Sequence, residues 1–151
     1  MKFFLKYWLP VVVWLGLIFI GSTDLLSAEH TSRIIGLILR RCNPHVSIAT
    51  ISQVQFFVRK AAHLSEYAFL AMLLWRAFRH VARWQSTIAK LFLAVWLICF
   101  LFAASDELHQ SFVPSRTASP KDVLIDAIGA LIGLAVCVAV ASRKGLKERN
   151  A

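Results

Sequence analysis

Residues 88–104 read IAKLFLAVWLICFLFAA, an apolar run broken by a single charge, Lys90. A helix at a water surface keeps one polar face. This run has none, so a helix here needs apolar surroundings on every side. It leads straight into SDELHQ (105–110), where Asp106, Glu107 and His109 follow one another closely.

Three more apolar runs flank it. One extends from Pro120 to about Ala141 and is introduced by SPKD (119–122). Ser119 is placed as N-cap, Pro120 at the first helical position and Asp122 at N3, a variant of the capping box. Another covers Ala61 to Phe78, behind the charged stretch RKAAHLSEY (59–67). The earliest is YWLPVVVWLGLIFIGS (7–22). It is short against the roughly 20 residues of a spanning helix, and is read as uncleaved and extending toward Leu26. Lys2 and Lys6 ahead of it also suit a signal peptide.

The totals agree with a lipid environment. Hydrophobic residues make up 58% of the 151 positions, and mean hydropathy is +0.65. One domain of this length cannot hide that much apolar surface from water. The net charge of +9 would suit nucleic acid. The bases, however, cluster between apolar runs as membrane loops require, so no nucleic-acid partner is expected. Cys42, Cys99 and Cys137 make no disulfide framework, and only Cys42 lies in a polar segment.

The expected fold is therefore all-α: a single domain over 1–151, an integral membrane four-helix bundle. Its spans are placed at about 7–26, 58–78, 88–109 and 120–141. Between the first two, TSRIIGLILRRC (31–42) is expected as a short interfacial helix, and ISQVQFFV (51–58) as a lead-in along the interface. Ten of the seventeen bases fall on the side of the N-terminus. The positive-inside rule then gives N-in/C-in in a multi-pass protein of the cytoplasmic (inner) membrane. The Trp residues are read as interface anchors or lipid-facing packing.

In that arrangement three helix ends share one face of the membrane. Glu66, Asp106, Glu107, Asp122 and Asp126 all belong to those ends. With about 1.5 Å of rise per residue, Lys60 to Glu66 covers roughly 9 Å and Asp122 to Asp126 roughly 6 Å. Lys60, His63 and Tyr67 share a helical stripe, and Glu66 is three residues from His63. Asp106, His109 and Gln110 fall together on the next helix. Asp122, Asp126, Gly129 and Gly133 form a stripe with acids above and GxxxG below, so the acids face a neighbouring helix.

Charge inside a span persists when it is paired or used. One reading is an ion-pair network that fixes helix register. The other is a polar pocket open to the outside. In it Arg59, Lys60 and Arg116 hold an anionic group, bidentately where Arg is the partner. Glu66 and Asp106 are then the acid–base pair, with His63 as proton partner. Tyr67, Glu107, Gln110, Asp122 and Asp126 complete the ligand-binding set. A metal set from His63, Glu66, Asp106, Glu107 and His109 has poor spacing and no HExxH, so no metal or other cofactor is expected. No GxSxG elbow marks a nucleophilic serine.

Two stretches read together resemble the VanZ-like membrane protein family. RKAAHLSEYAFL (59–70) is similar to its first signature through Lys60, His63, Glu66, Tyr67 and Leu70. DELHQSFVPSRTASPKDVLIDAIGALIG (106–133) is similar to the second through Asp106, Glu107, Gln110, Phe112, Pro114, Arg116, Ser119, Asp122, Gly129 and Gly133. The family usually has Asn where this chain has Asp126, which adds a charge. The resemblance covers about Phe57 to Leu134. It implies a small multi-span membrane protein of the cell envelope. The founding member is linked to resistance to teicoplanin, a lipid-tailed glycopeptide that binds cell-wall precursors. By that analogy the pocket's ligand is an amphipathic envelope molecule. The resemblance names no reaction.

Overall fold

The structure, a computed structural model, describes residues 1–23, 28–81, 87–114 and 118–149, without the side chains of 28–32 and 144–149. The described residues form six α-helices and no strand. They are α1 (Lys2–Tyr7), α2 (Leu9–Gly21), α3 (Ala28–Cys42), α4 (Ile48–Arg79), α5 (Ile88–Gln110) and α6 (Pro120–Arg149). Arg116 and the stretch toward Leu26 lie outside the described residues.

The apolar run at 7–22 is not one continuous helix. Pro10 has no N–H to give the Lys6 carbonyl, and the chain divides at Trp8. That carbonyl instead accepts from the Arg76 guanidinium at 3.3 Å. Tyr7 stacks on His80 with ring centroids 4.6 Å apart, and Trp8 meets Phe78 edge-on at 5.2 Å. The start of α2 is thus tied to the end of α4, and the two run antiparallel.

α4 begins earlier than the hydropathy suggests. Ser47 caps it, its hydroxyl accepting from the Thr50 N–H at 3.1 Å. The helix then continues through 48–57 without a break, so the expected lead-in is the first three turns of α4. Its 32 residues make it about 48 Å long. α3 packs against this early part of α4.

α4, α5 and α6 form the packed centre, and α2 lies along α4. Leu91, Val95, Cys99 and Ala103 bury one stripe of α5 against Leu70, Ala71 and Leu74 of α4 and Ala130 and Leu134 of α6. The opposite stripes stay open although they are equally apolar. Leu93, Leu97 and Leu101 of α5 and Leu124, Ile128 and Ile132 of α6 are all exposed. A helix apolar on both its packed and its open face is suited to lipid, not water. Two helical segments, Ile88–Gln110 and Pro120–Arg143, are long and apolar enough to cross a membrane.

α4 and α6 run parallel and very close. A Cβ on Gly129 would overlap the Leu64 carbonyl, and one on Gly133 would overlap the Ala68 carbonyl. Both glycines therefore face α4, as the GxxxG pattern predicts. Trp96 of α5 fastens the third side, its indole N–H donating to the Ala127 carbonyl of α6 at 3.2 Å.

Candidate functional site

The charged stretches come together at one end of the packed centre. Lys60 of α4 forms an ion pair with Asp122 of α6, and one turn further on His63 Nδ1 lies 3.1 Å from Asp126 Oδ1. The two acids are one helical turn apart, and so, nearly, are the two bases. Parallel packing brings the pairs into register, directly above Leu64 and Gly129. The Lys60 ammonium also lies 5.2 Å from the centroid of the Phe56 ring. The sequence pairs His63 with Glu66 on its own helix. The structure sets it against Asp126 instead, because position 63 faces α6 and is buried while Glu66 is only half-buried.

α5 contributes a second set. Asp106, Glu107 and Gln110 are buried. Asp106 accepts from the Ser22 hydroxyl at 2.5 Å through Oδ1 and from Gln110 Nε2 at 3.0 Å through Oδ2. Gln110 Nε2 also donates to Ser22 Oγ at 3.2 Å. This closed triangle joins the end of α2 to the end of α5. It leaves both carboxylate oxygens of Asp106 engaged, with Ser22 and Gln110.

Glu107 turns the other way, toward the start of α6. Its Oε2 accepts the Ser119 backbone N–H at 2.7 Å. The expected capping box assigns that N–H to Asp122, three residues into the helix. Asp122 is instead drawn to Lys60, and a carboxylate from α5 takes its place. The Ser119 hydroxyl accepts from the Lys121 N–H at 3.3 Å, consistent with its N-cap position. Glu107 Oε1 and Asp126 Oδ2 are buried with no hydrogen-bond partner.

The metal set weighed from the sequence does not assemble. Asp106 is held by Ser22 and Gln110, and His109 stacks on Phe19 of α2 at 4.6 Å. A different trio, His63, Glu107 and Asp122, offers one donor atom each within 4.8 Å of the others.

A cavity of about 370 Å³ opens beside the cluster. Ile34 and Ile35 of α3 and Val58 and Ala62 of α4 make its apolar part. Arg59, His63, Glu66 and Gln110 make its polar part, together with Ser22. A second hollow of about 390 Å³ lies between α2 and α5, with Tyr67, Asp106 and His109 in its wall. Tyr67 itself is almost wholly buried.

Several participants were not legible as such. Ser22 is an ordinary residue at the end of an apolar run. Trp14 and Trp96, read as interface anchors or lipid-facing packing, both direct their indole N–H inward, Trp14 to the Glu66 carbonyl at 2.9 Å. Trp75 is buried in the core. A Trp N–H removed from water needs an acceptor, and backbone carbonyls of the neighbouring helices supply it.

No curated protein and no solved structure matches the chain. Residues 7–141 match the VanZ/LLP1 family model. That span takes in all of α2 to α5, most of α6 and every residue of the cluster, so the chain belongs to the VanZ/LLP1 family.

Proposed function

We propose that this is a four-span protein of the cytoplasmic membrane, N-in and C-in, whose cavity under α3 binds an amphipathic molecule of the cell envelope. The observation that carries the reading is the cavity's mixed apolar and polar lining. Ile34, Ile35 and Val58 supply its apolar surface, and Arg59, His63 and Glu66 its polar groups. Such a lining fits a lipid-tailed ligand with an anionic head, as in a lipid-linked wall precursor or a lipoglycopeptide. Arg59 holds the anionic group, in the bidentate manner open to a guanidinium. Arg116 is assigned the same task from the sequence. Lys60 contributes less, because Asp122 already engages it. Any proton transfer falls to Glu66 and to His63, which Asp126 orients, while Asp106 positions Gln110 at the cavity edge.

A second reading rests on a specific observation. Lys60–Asp122 and His63–Asp126 both join α4 to α6, as a purely structural ion-pair network would. The two readings part at Glu66→Gln. Membrane abundance and susceptibility to a lipid-tailed glycopeptide are measured in the same cells. The cavity reading expects full abundance and an altered phenotype. A phenotype that changes only in step with abundance overturns it in favour of the structural network.

A further inference from the structure

We propose that His63, Glu107 and Asp122 form a binding site for one divalent cation of the Zn²⁺/Mn²⁺ class. The three residues come from three helices, their donor atoms lie within 4.8 Å of one another, and all are buried. Each is also held from behind. Asp126 engages His63 Nδ1 at 3.1 Å, which leaves Nε2 as the nitrogen to meet an ion. The Ser119 N–H holds Glu107 Oε2 at 2.7 Å, and Oε1 is left buried without a partner. Lys60 holds Asp122 through Oδ1. Metal ligands are commonly arranged this way: an outer partner fixes the ring tautomer or the carboxylate rotamer, and the remaining donor atom meets the ion.

The unpartnered Glu107 Oε1 is the observation that turns a charged cluster into a site. Leaving a carboxylate oxygen dry and unpaired is costly, more so than for a neutral acceptor. Glu107 is 6% exposed and its Oε1 is buried, so bulk water does not relieve it. A cation shared with His63 and Asp122 does. One imidazole and two carboxylates suit borderline to hard divalent ions and disfavour soft ones such as Cu(I). Three protein ligands leave an open coordination position on a tetrahedral ion. His63 stands in the wall of the cavity under α3, which gives the ion a route in. The site departs from the sequence expectation of no metal, because its ligands are spread over three helices and no local spacing announces them. It does not depend on what the cavity binds, and with the ion on His63 Nε2 any proton transfer in the cavity is left to Glu66.

The test uses the full chain in detergent micelles, stripped with a chelator and equilibrated with Zn²⁺ or Mn²⁺. Bound metal is counted by mass spectrometry, and the Zn²⁺ form is studied by X-ray absorption. The expected result is about one ion per chain, with N/O neighbours at about 2.0–2.2 Å, one of them imidazole, and no sulfur. Glu107→Gln and Asp122→Asn, checked for helicity and monodispersity, should each weaken binding roughly tenfold or more. Metal well below one ion per chain overturns the site. So does a sulfur neighbour at about 2.3 Å, which would put the ion on a cysteine. Folded variants that bind as tightly as the unmodified chain overturn it as well. If neither variant folds, the absorption spectrum of the unmodified chain decides alone.

Discussion

Gly129 of α6 sits against the Leu64 carbonyl of α4 so closely that no side chain fits between them. This contact sets the distance at which Lys60 meets Asp122 and His63 meets Asp126, one to two turns above. Gly129→Ala should therefore lower stability by about 1–3 kcal/mol through overpacking. Gly16→Ala is the control: its Cβ would meet nothing within 4 Å, and removing a mid-helix glycine is neutral to mildly favourable. Thermal unfolding in detergent checks both. Equal midpoints for the two variants would count against close α4–α6 packing.

Lys60→Met leaves the buried Asp122 carboxylate without its ammonium. Breaking a buried pair on one side costs about 3–5 kcal/mol. The lower end is expected, since the Lys60 side chain keeps 22% exposure. Adding Asp122→Leu should return most of the loss. A double-mutant cycle on unfolding free energies measures the coupling, and a value near zero would show that the pair does not hold the helices.

Ser22→Ala removes a hydroxyl that donates to the Asp106 carboxylate at 2.5 Å. A hydrogen bond to a charged group is worth about 1.5–3 kcal/mol. Because the bond crosses from α2 to α5, the loss should appear first as easier proteolysis around α2, with α4 to α6 still resistant. Cleavage that begins elsewhere would argue that α2 is held by other contacts.

Ala62→Phe fills the cavity beneath α3 and removes no member of either ion pair. On the proposed function, cells should make normal amounts of this variant yet show the altered response to a lipid-tailed glycopeptide. An unchanged response with normal abundance would mean that the cavity is not where the protein acts.

Orientation has its own measurement. Cys42 is exposed and Cys99 is buried. A membrane-impermeant maleimide should label intact spheroplasts at Cys42. Labelling of Cys42 only after lysis would reverse the proposed N-in/C-in arrangement.

Much of this plan could be read directly from the residues. The run at 88–104 has no polar face, which led to α5. Ser119 and Pro120 mark the start of α6, and the glycines four apart at 129 and 133 identify the face it turns to α4. The gathering of Asp106, Glu107, Asp122 and Asp126 follows from short connections between successive helices. What escaped the sequence was the choice of partner. His63 has an acid three residues away on its own helix and takes one from α6, because burial depends on rotation about the α4 axis, which apolar composition on all sides does not encode. The start of α4 escaped for a related reason. Ser52, Gln53 and Gln55 lower the hydropathy there, but they are compatible with a helix and only the cap at Ser47 fixes its origin.

Lys60 and His63 find their acids 62 and 63 positions later in the chain. During synthesis both bases therefore leave the ribosome well before Asp122 and Asp126 exist. On the four-span arrangement, the second span would wait at the translocon with Lys60 and His63 still lacking their α6 acids until the last span arrives. Its release into the bilayer is then coupled to completion of the polypeptide, and a nascent chain stopped before residue 122 should be retained by the insertion machinery or degraded.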